Sequence, residues 1–422
     1  MDLFDHFVPG GNGITDMPVR WIRLCGALLT LPLGLIAQDW PQWRGANRDG
    51  HLAGGSGGTN WPKEITLKWR KPVGLGEATP ALVEDRLFVF GRQGDEEVVS
   101  CLWAASGEPA WRYAYPAAAV TGAAEKYQGP RSSPAVSQGK MVALGVGGVL
   151  TCLDATTGRL LWQHTQFIKS LPLFYTAMSP LVTEDRCVAH LGGQDDGVVA
   201  AFDLASGKLI WEWRGEGPSY SSPALITVGG VSQVVVLTET GLTGLSLASG
   251  QRLWDTPTPK QPGYWNSASP VIDAPYIYYT GQGTGTRSVQ IEKQGDAFTA
   301  KACWHNERLG TVYNTPVLVD GLLYALSDRG QFFCLDARTG KPAWSDTNRV
   351  SNFSSLLAAG PVLAAVPEKS GLIVFRPNRD RFEEVARYKL SDDPIYAFPV
   401  FSGDRIYVRD ARNVSLYIRG SL

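Results

Sequence analysis

The chain has 422 residues with 39 basic and 40 acidic side chains, a net charge of −1 and no basic run able to track a phosphate backbone, which excludes nucleic acid as an expected partner. Glycine (47), tyrosine (15) and tryptophan (14) are abundant, methionine is scarce (4), and no long stretch carries the i, i+3, i+4 apolar spacing of a helix. Short strands and tight turns are expected throughout, in a chain too long for one ordinary core unless its units repeat.

Residues 1–16 are acidic and suit no leader, so Met17 fits a start better than Met1. Arg20 and Arg23 then precede an apolar run from Leu24 to Ala37, short for a hydrocarbon layer of about 30 Å and followed by polar Gln38 and Asp39. A signal peptide over 1–37 is expected, with an uncleaved anchor as the alternative, although Leu35 stands where a small residue is preferred before the cut. Cys25 stands at the start of the apolar run instead of following it, so no lipid attachment is expected. The mature chain is expected to be periplasmic or secreted, without a membrane span, and monomeric by default. Residues 38–60, Gly-rich with Trp40 and Trp43, read as a segment wrapping the body. Asn47, Asp49 and Gly50 there suggest a calcium loop only weakly, because the other ligands of a known loop pattern are missing.

From residue 61 onward the sequence repeats itself. SCLWAASGEPAW, TCLDATTGRLLW, AAFDLASGKLIW, TGLSLASGQRLW and FCLDARTGKPAW end at Trp111, Trp162, Trp211, Trp254 and Trp344. An X-Pro dipeptide followed by apolar alternation comes before each, at Pro80, Pro134, Pro180, Pro223, Pro270, Pro316, Pro361 and Pro399. Eight openings imply eight blades of four antiparallel strands. Proline is tolerated at the first position of the innermost strand, and Asp and Gly (Asp154 and Gly158, for example) suit the tight turn before the fourth strand. The recurrent Trp is large enough to wedge between neighbouring blades. Two units are degenerate: one reaches Trp304 without the Asp-x-x-x-Gly turn, and one has Tyr388 in place of Trp. The last unit has three strands, and ITLKWRKPV (65–73), with Trp69 at the repeat's terminal position, would supply the fourth. The expected fold is all-β, an eight-bladed β-propeller over 61–422 closed by pairing its N- and C-terminal strands.

The loops entering the innermost strands form one rim of the central channel. An aromatic recurs there: Tyr127, Tyr175, Tyr220, Trp265, Tyr313 and Tyr396, with Arg131, Asn266 and Asn314 as polar neighbours. Converging, they would make a collar for a flat ligand or a peptide loop; otherwise each covers its own blade. Other features point away from chemistry. Cys101, Cys152, Cys187, Cys303 and Cys334 are odd in number and contain no CxxC, which suits small buried hydrophobes. His51, His164, His190 and His305 lack zinc spacing, and GQGTGTR (281–287) connects strands instead of opening a helix. No metal site is expected.

The repeat C/F-L/F-D-A-x-T/S-G-K/R-x-x-W resembles the PQQ-like, quinoprotein-type propeller repeat shared by quinoprotein alcohol dehydrogenases and the assembly scaffold BamB. QDWPQWRGANRDG (38–50) and YQGPRSSPAV (127–136) are similar to secreted BamB-like propellers, and the likeness covers 38–422. The dehydrogenase branch would imply pyrroloquinoline quinone (PQQ) with Ca²⁺ held by Glu, Asn and Asp, a catalytic Asp and, in many members, a vicinal disulfide. This sequence has no Cys-Cys pair, no CxxCH and no matching acidic cluster. The BamB branch implies a non-enzymatic scaffold in outer-membrane protein assembly, with protein partners in the cell envelope and no cofactor. That is the leading expectation; the alternatives are a PQQ-dependent alcohol or sugar dehydrogenase and a carbohydrate or small-metabolite binder at the aromatic rim.

Overall fold

Turn chemistry and period-2 alternation divide the chain into blades. The computed structural model describes residues 39–52, 61–259, 266–369 and 371–420, and in it the strands form eight four-stranded antiparallel sheets. Blade 1 is made of Ala81–Val83, Arg86–Gln93, Glu96–Trp103 and Pro109–Pro116, and blades 2 to 7 repeat this order through Glu384–Lys389. Blade 8 joins Val400–Ser402, Arg405–Arg409 and Asn413–Ile418 to Thr66–Pro72, paired from Thr66 with Ile418 to Pro72 with Asn413. The propeller and its closure by the two chain ends are as expected. Helix among the described residues is limited to one 3-10 turn, Gly122–Ala124, and none is long and apolar enough to cross a membrane. The signal-peptide segment, 1–37, lies outside the described residues.

Middle strands lie between two neighbouring blades and are buried on consecutive residues, as in Lys140–Leu144 and Leu150–Asp154. Outer strands face solvent on one side and alternate, as in Leu209–Arg214. Cys101, Cys152 and Cys334 hold equivalent places, each paired across strands with its blade's Trp (Trp111, Trp162, Trp344). These three and Cys187 are buried free thiols, whereas Cys303 is exposed.

The Trp wedges couple each blade to the next. The Nε1–H of Trp69 donates to Ala105 O, Trp111 to Ala155 O, Trp162 to Leu204 O, Trp211 to Leu247 O, Trp304 to Ala337 O and Trp344 to Asn378 O, at 2.8–3.1 Å. Most rest on the turn glycine of the neighbour: a Cβ on Gly158, whose φ is +72°, would come within 2.5 Å of the Trp111 ring. Trp254 differs because blade 5 lacks the Asp-x-x-x-Gly turn, and it donates to Gln233 Oε1 of its own blade at 2.6 Å. In blade 7 Tyr388 takes the Trp position and donates to Pro62 O at 2.5 Å. Burying an indole of 150–250 Å² contributes roughly 4–6 kcal/mol as an upper bound.

One opening proline is placed differently. Pro80, Pro134, Pro180, Pro223, Pro270, Pro316 and Pro399 each immediately precede an innermost strand, but blade 7 opens at Ser354–Ala359 and Pro361 lies in the turn before Val362–Pro367. Proline suits that turn as well as a strand start, so the dipeptide alone is ambiguous.

The 38–60 segment was expected to wrap the body, but its described part, 39–52, runs across the channel. Trp40 exchanges two hydrogen bonds with Leu82 of blade 1, Pro41 O accepts from Val136 N of blade 2, and Leu52 N and Gly50 O pair with Ala358 of blade 7. Arg48 donates to Pro180 O and Ser179 O of blade 3; Arg44 donates to Thr315 O and Pro316 O of blade 6. Only a segment lying in the channel reaches the innermost strands of all these blades. Around 44–50 the loop closes on the Arg44 guanidinium, which also donates to Asp49 O at 2.8 Å, so a fixed cation lies within the loop that carries Asn47, Asp49 and Gly50.

Candidate functional site

In an extended strand, residues two apart share a face. Positions one and three before the opening prolines therefore point together into the channel, and they build a cup of about 460 Å³ there. The position next to proline supplies Thr79, Ser133, Ser179, Ser222, Ser269 and Phe398; the position three before it supplies Glu77, Arg131, Ala177, Tyr220, Ser267, Tyr313 and Tyr396. Tyr127, Phe174, Phe353, Ala123, Ala124 and Gln282 add to the walls, and Trp43 of the crossing segment contributes to the lining, 5.9 Å edge-on from Phe398.

The hydroxyls bind the blades together. Ser133 Oγ accepts from Thr79 N, Ser179 Oγ from Ser133 N, Ser222 Oγ from Ser179 N, Ser269 Oγ from Ser222 N and Thr315 Oγ1 from Ser269 N, while Thr79 Oγ1 accepts from Phe398 N. These bonds of 2.7–3.0 Å run from blade 8 through blade 6. Beyond Thr315 the chain of hydroxyls stops, and there Arg44 and the Gly50–Leu52 backbone of the crossing segment take over.

Of the rim residues singled out in the sequence, Tyr127, Arg131, Tyr220, Tyr313 and Tyr396 meet in the cup. Tyr127 and Tyr396 are edge-on at 6.1 Å, Tyr396 and Phe353 lie 5.4 Å apart, and Phe174 and Tyr220 5.8 Å apart. Arg131 donates to Phe174 O and Tyr127 O, and burial lowers its pKa. Tyr175 does not line the cup. Its backbone is left-handed (φ +63°), which turns Phe174 inward, while its own hydroxyl accepts from Thr121 N. Asn266 and Asn314 occupy even positions before proline and face away: Asn266 donates to Thr238 O at 2.9 Å, and Asn314 Oδ1 accepts from Leu326 N. Trp265 lies outside the described residues.

Sequence reasoning missed Glu77, Phe174 and the hydroxyl ring; the register of odd positions before proline is the signal that finds all but Phe174. Glu77 Oε2 is buried with no hydrogen-bond partner, and burial raises the carboxyl pKa to about 7 despite Arg131 and Arg409 nearby. Each of His51, His164, His190 and His305 pairs a ring nitrogen with a backbone carbonyl, consistent with structural roles.

The fold's dehydrogenase branch makes quinone chemistry the first test of the cup. Calcium takes six to eight oxygens, several of them carboxylate, and a tricarboxylate quinone needs more than one cation. Glu77 is the one carboxylate and Arg131 the one cation among the described lining residues. No described group of three His, Cys, Asp or Glu is placed to hold a metal ion. These residues do not fit a calcium–quinone pair.

Comparison with known proteins separates fold from family. The europium-containing methanol dehydrogenase structure matches at TM-score 0.68 over 90% of this chain and 98% of its own, at 12% identity. The structure of BamB from Moraxella catarrhalis matches at TM-score 0.65 over 84% of this chain and all of its own, at 15% identity. Both likenesses speak to fold alone. In sequence, outer membrane protein assembly factor BamB of Shewanella oneidensis is 27% identical over 290 residues, 65% of this chain and 71% of that protein. The family model described as outer membrane protein assembly factor BamB matches residues 50–214 and 128–346, and the chain belongs to that family.

Proposed function

We propose that this protein is an exported, non-enzymatic scaffold that acts through protein contacts in outer-membrane protein assembly. The observation that carries the reading is the family match, which spans 50–346. The molecule's surface is suited to the task. Leu160, Leu209 and Ile210 are exposed apolar residues on the outermost strands of blades 2 and 3, where an unpaired strand edge can accept an added strand. The cup's donor set, poor in carboxylates, supports a role other than quinone oxidation. We place the protein in the periplasm, as a monomer whose ring is closed by its own termini.

The test is removal of the protein from its host with rescue by the full-length chain. Outer-membrane β-barrel proteins should fall in abundance and return on rescue. Unchanged barrel levels would overturn the assembly role.

A further inference from the structure

The cup has more hydrogen-bond donors than its own acceptors can use. Thr79, Ser133, Ser179, Ser222 and Ser269 each accept a backbone N–H, and none donates to a protein acceptor among the described residues, which leaves five hydroxyl protons to the cup. Arg131 spends two of its five N–H donors on carbonyls; the rest have no described acceptor. Arg44 and Arg48 approach Trp43 to within 5.6 and 5.7 Å of its ring. Asp49 attends Arg44, and Arg131 and Arg409 are the cations that act on Glu77, the one carboxyl among the described lining residues. The donors favour an anion, and the one cation among the described lining residues, Arg131, suits one anionic group. The walls are aromatic, and the volume lies within the range of small-molecule pockets.

We propose that the cup binds a small organic monoanion, a carboxylate carried on an aromatic or aliphatic body, with its oxygens on Arg131 and the hydroxyl ring and its body between the tyrosines. Binding needs no metal, and the site is independent of the surfaces that would serve assembly. Tyr313, 58% exposed and lining the cup, is the side chain a ligand passes on entry.

Calorimetry on the purified full chain with three probes of one shape tests this: 3-phenylpropionate, 3-phenylpropan-1-ol and 3-phenylpropylamine. The acid should bind one to one, about tenfold or more tighter than the alcohol and the amine, as loss of a charge-assisted hydrogen bond implies. Arg131→Met should weaken the acid by about 10- to 100-fold while leaving the alcohol nearly unchanged. Tyr313→Ala, at an exposed position that does not threaten folding, should weaken all three several-fold. Equal affinity for the three probes, tighter binding of the amine, or no saturable binding of the acid below about 10 mM would overturn the proposal.

Discussion

Glu77 joins sequence position to measurable behaviour. Burial raises its pKa from the ordinary 4.5 to about 7, so the folded chain holds this proton when the unfolded chain has lost it. Below about pH 4.5 the group is neutral in both states. As pH rises towards 7 the unfolded state gains by ionising, so stability falls across this window by on the order of 2–3 kcal/mol. His190 acts in the opposite sense: burial lowers it to about 4, and its contribution is lost as pH falls from 6.5. Glu77→Gln retains His190, so the two proteins isolate the carboxyl. The variant should be more stable than the parent at about pH 8 and equal to it at about pH 4 in urea unfolding; parallel profiles would contradict the assignment. Much of the cup's wall was legible, because aromatics before the prolines stand out in the sequence. Glu77 was not legible as a single acidic residue; its meaning comes from sharing Arg131's register. Phe174 and Tyr175 are indistinguishable until the left-handed backbone at Tyr175 decides which ring turns inward.

At the scale of elements, the repeat announced the blades because each Trp and turn glycine answers a packing demand that recurs eight times around the ring. Pro361 misled because a turn and a strand start accept the same residue. The crossing segment was illegible for a different reason. Arg44 and Arg48 bond to backbone carbonyls of distant blades, and carbonyls carry no sequence pattern. Arg44 is 1% exposed, and its guanidinium covers the break in the hydroxyl ring between blades 6 and 8. Arg44→Ala should therefore leave Thr315 O and Pro316 O without that donor and open a cavity at the seam, lowering stability by about 2–4 kcal/mol. Arg44→Lys should recover only part of this, since one ammonium cannot reproduce the planar fork. A denaturation midpoint within error of the parent would mean that the segment merely lies in the channel without securing it.

For the whole molecule, a ring closed by pairing Thr66–Pro72 with Asn413–Ile418, laced inside by hydroxyls and crossed by its own N-terminal segment, leaves its outer strands and rims as the surfaces free to meet other proteins. The eight blades and their closure were legible from repeats alone, whereas the hydroxyl lacing and the crossing segment were not; function was not legible either, because dehydrogenases and BamB share the architecture. Photo-crosslinking in the native envelope, with the reactive group placed in turn at Leu160, Leu209 and Ile210, tests the scaffold claim most directly. The account predicts crosslinks from these outer strands to the outer-membrane protein assembly machinery, which disappear when that machinery is depleted. Crosslinks to none of its components from any of the three positions, in cells whose barrel proteins assemble normally without this chain, would contradict it.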